Sequence, residues 1–233
     1  MTAITANTGS RENSGRNGGK LVLKLWVRAG AVAAAAVVFG VLYFFVRQYL
    51  KDGVWRFDLS LVNKSLGTAA LFLVALSMFL TGVAYFSRRS GRSLAYRKHY
   101  GLMGFWTGLV HGAVNHFWLP AVGLYPERSL DAWLSDAPGL AALVLFGAMA
   151  LLSNAGVKGR LGGGTWRKIL RYGGYAALLL ALAHTALLKW ASWTKYLQTF
   201  DSVLPSLSLP VTAFAAAAVL LRLAMWVSDV RKK

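Results

Sequence analysis

Apolar side chains in this chain come in long runs separated by short basic, glycine-rich or acidic segments. The runs number six, at about 26–48, 66–86, 100–119, 139–153, 172–190 and 204–227, the fourth being the shortest. A helix crossing a hydrocarbon core of about 30 Å needs roughly 20 residues. The pattern therefore predicts an all-α integral membrane protein built as a six-helix bundle. Residues 1–20 contrast with the rest, being rich in Ser, Thr, Asn and Gly. Too few large apolar groups are present there to offset the entropy of ordering, so a disordered cytoplasmic arm is expected, followed by one transmembrane domain over 21–233. The first apolar run is too long for a signal-peptide core and has no convincing cleavage site, so it is expected to remain as the first span.

Composition agrees with this picture. Of 233 residues, 56% are hydrophobic and none is cysteine, which sets aside disulfides, thiolate-ligated iron and iron–sulfur clusters. A formal net charge of +18 would suggest a nucleic-acid partner in a soluble protein, but its distribution points to a membrane and to no nucleic acid. Arg11, Arg16, Lys20, Lys24 and Arg28 precede the first run; Arg88, Arg89, Arg92, Arg97 and Lys98 lie between the second and third. Lys158, Arg160, Arg167, Lys168 and Arg171 lie between the fourth and fifth, and Arg231, Lys232 and Lys233 close the chain. The alternate connections hold six of the eight acids, with Arg128 the only cation of the third and Lys189 and Lys195 those of the fifth. This is the positive-inside pattern with both termini cytoplasmic. Only the first external connection dissents, with Arg47, Lys51, Arg56 and Lys64 set against Asp52 and Asp58.

Two of the four histidines, His111 and His184, stand inside apolar runs. Arg97 and Lys98 precede His111 by 14 and 13 residues, and Arg171 precedes His184 by 13. In helices both imidazoles would lie roughly 20 Å from the same membrane face. Gly104 and Gly108 stand seven and three residues before His111, and Ala177 and Ala181 stand seven and three before His184, so each histidine shares its helical face with small residues. Two imidazoles at one depth beside such a slot suit a flat porphyrin whose iron takes an axial nitrogen from each side. Two other readings stay open. Gly104, Gly108 and Gly112 form a small-residue series that also serves plain helix packing. A membrane histidine can also donate to a neighbouring carbonyl or line a proton or solute pathway.

The remaining candidates fall elsewhere. His99 sits among cations at the cytoplasmic boundary, and His116, five residues after His111, turns about 140° away, so both are expected at interfaces, with His116 within reach of an outer-surface group. Trp55, Trp118, Trp133, Trp190 and Trp193 fall at the external boundary and Trp26, Trp166 and Trp226 at the cytoplasmic one, as an aromatic belt does. Trp106 falls mid-span, five residues before His111, where packing near a ring is expected.

The stretches Arg97-Lys-His-Tyr-Gly-Leu, Gly104-Phe-Trp-Thr-Gly-Leu-Val-His111, Leu151-Leu-Ser-Asn154, Gly163-Gly-Thr-Trp166-Arg-Lys-Ile-Leu-Arg171 and Ala-Leu-Ala-His184 together cover the second to fifth runs. In order and spacing they resemble the ferric reductase-like transmembrane domain family, and within it the heme-binding membrane subunits of bacterial methionine sulfoxide reductase systems. The resemblance implies a six-helix bundle in a bacterial inner membrane, carrying b-type heme on histidines of the third and fifth spans. It also implies an electron-transfer subunit of an oxidoreductase system with a protein redox partner. His111 and His184 match the ligand positions.

One departure bears on the cofactor count. Members commonly carry a further histidine thirteen residues before the fifth-span ligand, where this chain has Arg171 after Leu170, and Arg97 stands fourteen before His111. A single heme nearer the external face is therefore expected. Only Ser228-Asp-Val-Arg-Lys-Lys233 follows the last run, and no Rossmann-type glycine fingerprint follows a strand, so a flavin or quinone is possible as donor without a motif to indicate it. Gly162-Gly-Gly164 is expected as a cytoplasmic loop. Lys189, Lys195 and Arg128 are external cations suited to propionates or lipid headgroups. A structural accessory subunit of a larger membrane complex and a histidine-lined proton or solute pathway are the competing functions.

Overall fold

The computed structural model describes residues 8–87, 91–124 and 130–231, with side chains described from residue 19 except at 91–93, 130–132 and 155. All regular structure among them is helical: α1 Thr8–Asp52, α2 Leu59–Phe86, α3 Gly91–Ala113, a π-helical turn Val114–Trp118, α4 Leu119–Ala121, α5 Leu130–Leu152, α6 Ala155–Leu161, α7 Gly163–Thr199 and α8 Ser208–Val230. Helix α1 reaches back to Thr8, into the segment expected to lack order; a helix nucleated by an apolar run needs only propagation to extend. Residues 1–7 of that arm lie outside the described residues. The expected loop at Gly162–Gly164 is shorter than that, because Gly162 alone takes a positive φ of 73° and Gly163 already opens α7.

Five helices are long and apolar enough to cross a bilayer: Gly19–Asp52 of α1, α2, Trp133–Leu152 of α5, α7 and α8. The third apolar run is not among them. Helix α3 carries Arg92, Arg97, Lys98 and His99 in its first half and four glycines in its second, which dilutes its hydropathy below that of the others. Several large apolar side chains face outward: Val144, Leu151 and Leu220 are 71%, 78% and 64% exposed. In water such surface would drive association, whereas lipid tails cover it at no cost.

Helix α2 is the centre of the bundle, packed by α3, α8 and α1, while α5 pairs with α7. Its start is fixed by Asp58, whose carboxylate accepts from Leu61 N–H at 2.8 Å and from Ser60 Oγ at 2.7 Å. Close approach of α2 and α3 depends on Gly104, where a Cβ would stand 2.7 Å from Val74 Cγ2 and 3.1 Å from the Ala70 carbonyl oxygen. Leu71, Val74, Ala75, Met78, Leu178, Ala215 and Ala218 form the buried core between α2, α7 and α8.

Polar contacts sort the ends of the bundle. At one end Arg28 Nη1 donates to Tyr96 Oη at 3.0 Å, Lys98 Nζ to the Ser153 carbonyl at 3.1 Å and Trp166 Nε1 to the Leu152 carbonyl at 2.7 Å. At the other, Tyr43 Oη donates to the Pro205 carbonyl at 2.9 Å and Arg47 Nε to the Leu204 carbonyl at 3.0 Å. Trp55, Trp118, Trp133, Trp190 and Trp226 are all at least half exposed, as a lipid-facing belt requires. Trp193 is not part of it: the ring is buried and its Nε1 donates to Ser208 Oγ at 3.1 Å, which ties α7 to the start of α8.

Candidate functional site

His111 and His184 line one cavity of about 640 Å³ inside the bundle, together with Gly104, Gly108 and Ala181. That size is in the range of small-molecule and cofactor sites. Of the small residues expected to face it, only Ala177 does not. It is fully buried one turn before Ala181 on α7.

Each imidazole is seated by the helix opposite. His111 Nδ1 lies 2.9 Å from the Asn63 carbonyl oxygen and 2.8 Å from Asn63 Oδ1. His184 Nδ1 lies 2.7 Å from the Ser135 carbonyl oxygen. Oxygens of this kind only accept, so in both rings Nδ1 carries the proton and donates. Nε2 is then the atom with a lone pair, and a hydrogen bond at the other nitrogen makes it the better ligand.

The rings need room on the helix that holds them. A Cβ on Gly67 would stand 2.9 Å from His111 Cε1, and one on Gly139 would stand 2.9 Å from His184 Nδ1. Gly67 follows Asn63 by four residues, and Gly139 follows Ser135 by four. Both seats thus use one device: a carbonyl oxygen accepts from the imidazole, and a glycine one helical turn later leaves space for the ring. The carbonyl and its histidine are 48 residues apart in one seat and 49 in the other. Neither glycine was among the residues expected from sequence. Their recurrence at nearly equal distances before the two histidines is the signal that would have found them.

Other expectations shift. Trp106 is 55% exposed and does not line the cavity, while its neighbour Phe105 does, because one helical step turns a side chain by about 100°. His116 also lines the cavity and stacks on Trp133 with ring centroids 6.4 Å apart. Its expected angle of about 140° from His111 assumes α-helical winding. The intervening π turn takes more residues per turn and rotates His116 back toward the His111 face. His99 is buried, with Nδ1 3.1 Å from the Ala95 carbonyl and its ring edge-on to Trp26 at 4.8 Å.

Charge surrounds one side of the cavity. Arg47, Lys64 and Lys189 line it, as do Asp58 and the buried Asp136. The cations of the dissenting first external connection are thereby accounted for as cavity-lining groups. Lys195 instead pairs with Asp201 at 3.0 Å, and Arg128 lies outside the described residues. Among the described residues no three or more His, Asp or Glu gather as a site for a bare metal ion.

Toward the basic end, Met78 and Met149 occupy the space beside α7: a Cβ on Gly174 would lie 2.8 Å from Met78 Cε, and one on Gly173 lies 3.3 Å from Met149 Sδ. Neither a scan of protein-family models nor a search of curated proteins finds a match for this chain.

Proposed function

We propose that this protein is a heme-binding membrane subunit that holds a single b-type heme on His111 and His184 and carries electrons toward a partner on the external side. The observation that carries the reading is the pair of matched seats: two imidazoles in one cavity, each with Nδ1 committed to a carbonyl and Nε2 left to ligate. Bound there, such a group would supply reversible one-electron chemistry at its iron.

The residues present fit this cofactor. Gly108 and Ala181 keep the cavity wall shallow, Phe105, Leu143 and Phe146 give part of it an apolar lining, and Arg47, Lys64 and Lys189 supply cations for the carboxylates of a porphyrin. The Met78 and Met149 packing toward the basic end, with Arg97 and Arg171 in place of imidazoles, supports one heme rather than two. The packed core beyond Val74 and Leu178 also disfavours a proton or solute pathway. A purely structural accessory role would leave two elaborated histidine seats without a purpose.

The sixth crossing in this reading is α3 with the π turn and α4. It is helical without a break from Gly91 to Ala121, 31 residues in all, or roughly 45 Å at 1.5 Å per residue. With six crossings and the basic end inward, the positive-inside bias supports cytoplasmic termini, and the family resemblance supports a bacterial inner membrane. The electron donor is a quinol, a flavin or another protein. The purified protein is expected to show a Soret band that is lost in His111→Ala and in His184→Ala. A colourless wild type, or a band unchanged by both substitutions, would refute the proposal.

A further inference from the structure

Arg97 and Arg171 stand 14 and 13 residues before the two histidines, on α3 and α7. Arg97 is held on α3 beside α2, where Ser77 Oγ donates to its carbonyl at 2.7 Å. Arg171 and Tyr175 are one turn apart on α7, on the same face. Arg222, on α8, places its guanidinium 5.9 Å from the centroid of the Tyr175 ring. Arg97 lies in the electrostatic field of Arg171, Arg222 and Tyr175, and Tyr175 in that of all three arginines.

One tyrosine thus has Arg171 one turn before it on its own helix, the Arg222 guanidinium beside its ring and Arg97 within its electrostatic field, and it is itself packed against the apolar core. Among the described residues none of the three makes an ion pair. Asp229, farther along α8, is engaged by Tyr85 Oη. Arg97 and Arg222 are half-buried and Arg171 is exposed, so the three like charges repel one another and two of them lose part of their hydration, a cost that an anion among them offsets. Planar guanidinium forks match the oxygens of phosphate in pairs, and Tyr175 Oη adds a donor.

We infer that Arg97, Arg171 and Arg222, grouped around Tyr175, form a phosphate-binding site between α3, α7 and α8 at the basic end of the bundle, filled by the headgroup of an anionic phospholipid. The site stands apart from the histidine cavity and does not depend on what that cavity binds. A headgroup is favoured over soluble phosphate because Arg222 and Tyr175 belong to membrane-crossing helices, at a level that lipid phosphates reach from the basic face.

The test follows thermal melting of the full-length purified protein as short-chain phosphatidylglycerol, short-chain phosphatidylcholine or inorganic phosphate is added. Phosphatidylglycerol is expected to raise the midpoint and phosphatidylcholine to leave it unchanged. Arg97→Gln with Arg171→Gln is expected to need about twenty-five-fold more phosphatidylglycerol for the same shift, a factor of roughly five for each lost charge. If inorganic phosphate reproduces the shift and the double variant abolishes it, the arginines bind phosphate as inferred and the natural ligand is soluble. Should the glutamine variant fail to fold, Arg97→Lys with Arg171→Lys keeps the charge and loses the forks, and a weakened response is expected. Equal responses from wild type and a folded variant, or equal shifts from both lipids, would overturn the inference.

Discussion

The two histidine seats share a plan and differ in one partner. At His184 the imidazole is held by a backbone carbonyl alone, that of Ser135. At His111 it is held by the Asn63 carbonyl and also by the Asn63 side-chain oxygen, and Asn63 Nδ2 in turn lies 3.5 Å from Asn115 Oδ1. The common part depends on helix geometry and tolerates many sequences, provided glycine follows one turn later. The extra part depends on one side chain. One imidazole is therefore positioned by the fold, while the other is also held by a side chain that substitution can change.

The largest effect expected is loss of either ring. His111→Ala and His184→Ala should each abolish bis-histidine ligation, seen as disappearance or marked shift of the Soret band, and to the same degree if the seats are equivalent. Next come the glycines. A methyl group at Gly67 or Gly139 would stand 2.9 Å from an imidazole atom, so Gly67→Ala and Gly139→Ala should each cost about 1–3 kcal/mol and lower heme occupancy. Heme content per chain and melting temperature check this, and a strong effect at one glycine with none at the other would break the proposed equivalence.

A smaller and more selective effect is expected from the extra partner. Asn63→Leu removes one acceptor of His111 Nδ1–H, costs about 0.5–1.5 kcal/mol and raises the heme midpoint potential, because the ligand becomes a weaker electron donor. Ser135→Ala keeps the backbone carbonyl that accepts from His184 and should shift the potential less than Asn63→Leu does. Potentiometric titration of both variants separates the two seats.

The smallest effect concerns Asp58, which caps the helix that carries Asn63 and Gly67. Burial pushes its carboxyl pKa up, but the hydrogen bonds from Ser60 and the Leu61 N–H, with Lys64 and Arg56 nearby, outweigh this and leave it below the usual value. A depressed carboxylate stabilises the fold above its unfolded pKa, near 4, and that contribution is lost as pH falls through the lower folded value. Asp58→Ala should cost about 1 kcal/mol at neutral pH and flatten the acid limb of the stability profile. Melting temperatures of both proteins between neutral and acid pH measure it.

Much of this was legible in the sequence, because hydrophobic runs and depth from a basic cluster are properties of single helices. Five of the six runs recur as helices apolar enough to cross a membrane, and the two histidines chosen for matched depth line one cavity. What escaped was set between helices. Gly67 and Gly139 matter through rings that arrive from α3 and α7, and nothing in their own runs marks them. Trp106 and Phe105 differ by one step, which depth along a helix does not resolve. His116 was misplaced because a π turn changes the angle per residue, and Trp193 because its indole finds Ser208 across the bundle.

The central claim is that His111 and His184 hold one cofactor between them. A reduced-minus-oxidised spectrum of the purified full-length protein, with heme quantified per chain, tests it most directly. One b-type heme per chain is predicted, with the low-spin spectrum of two axial imidazoles. No heme would contradict the proposed function, and two would mean that a second ligand pair exists outside the site described.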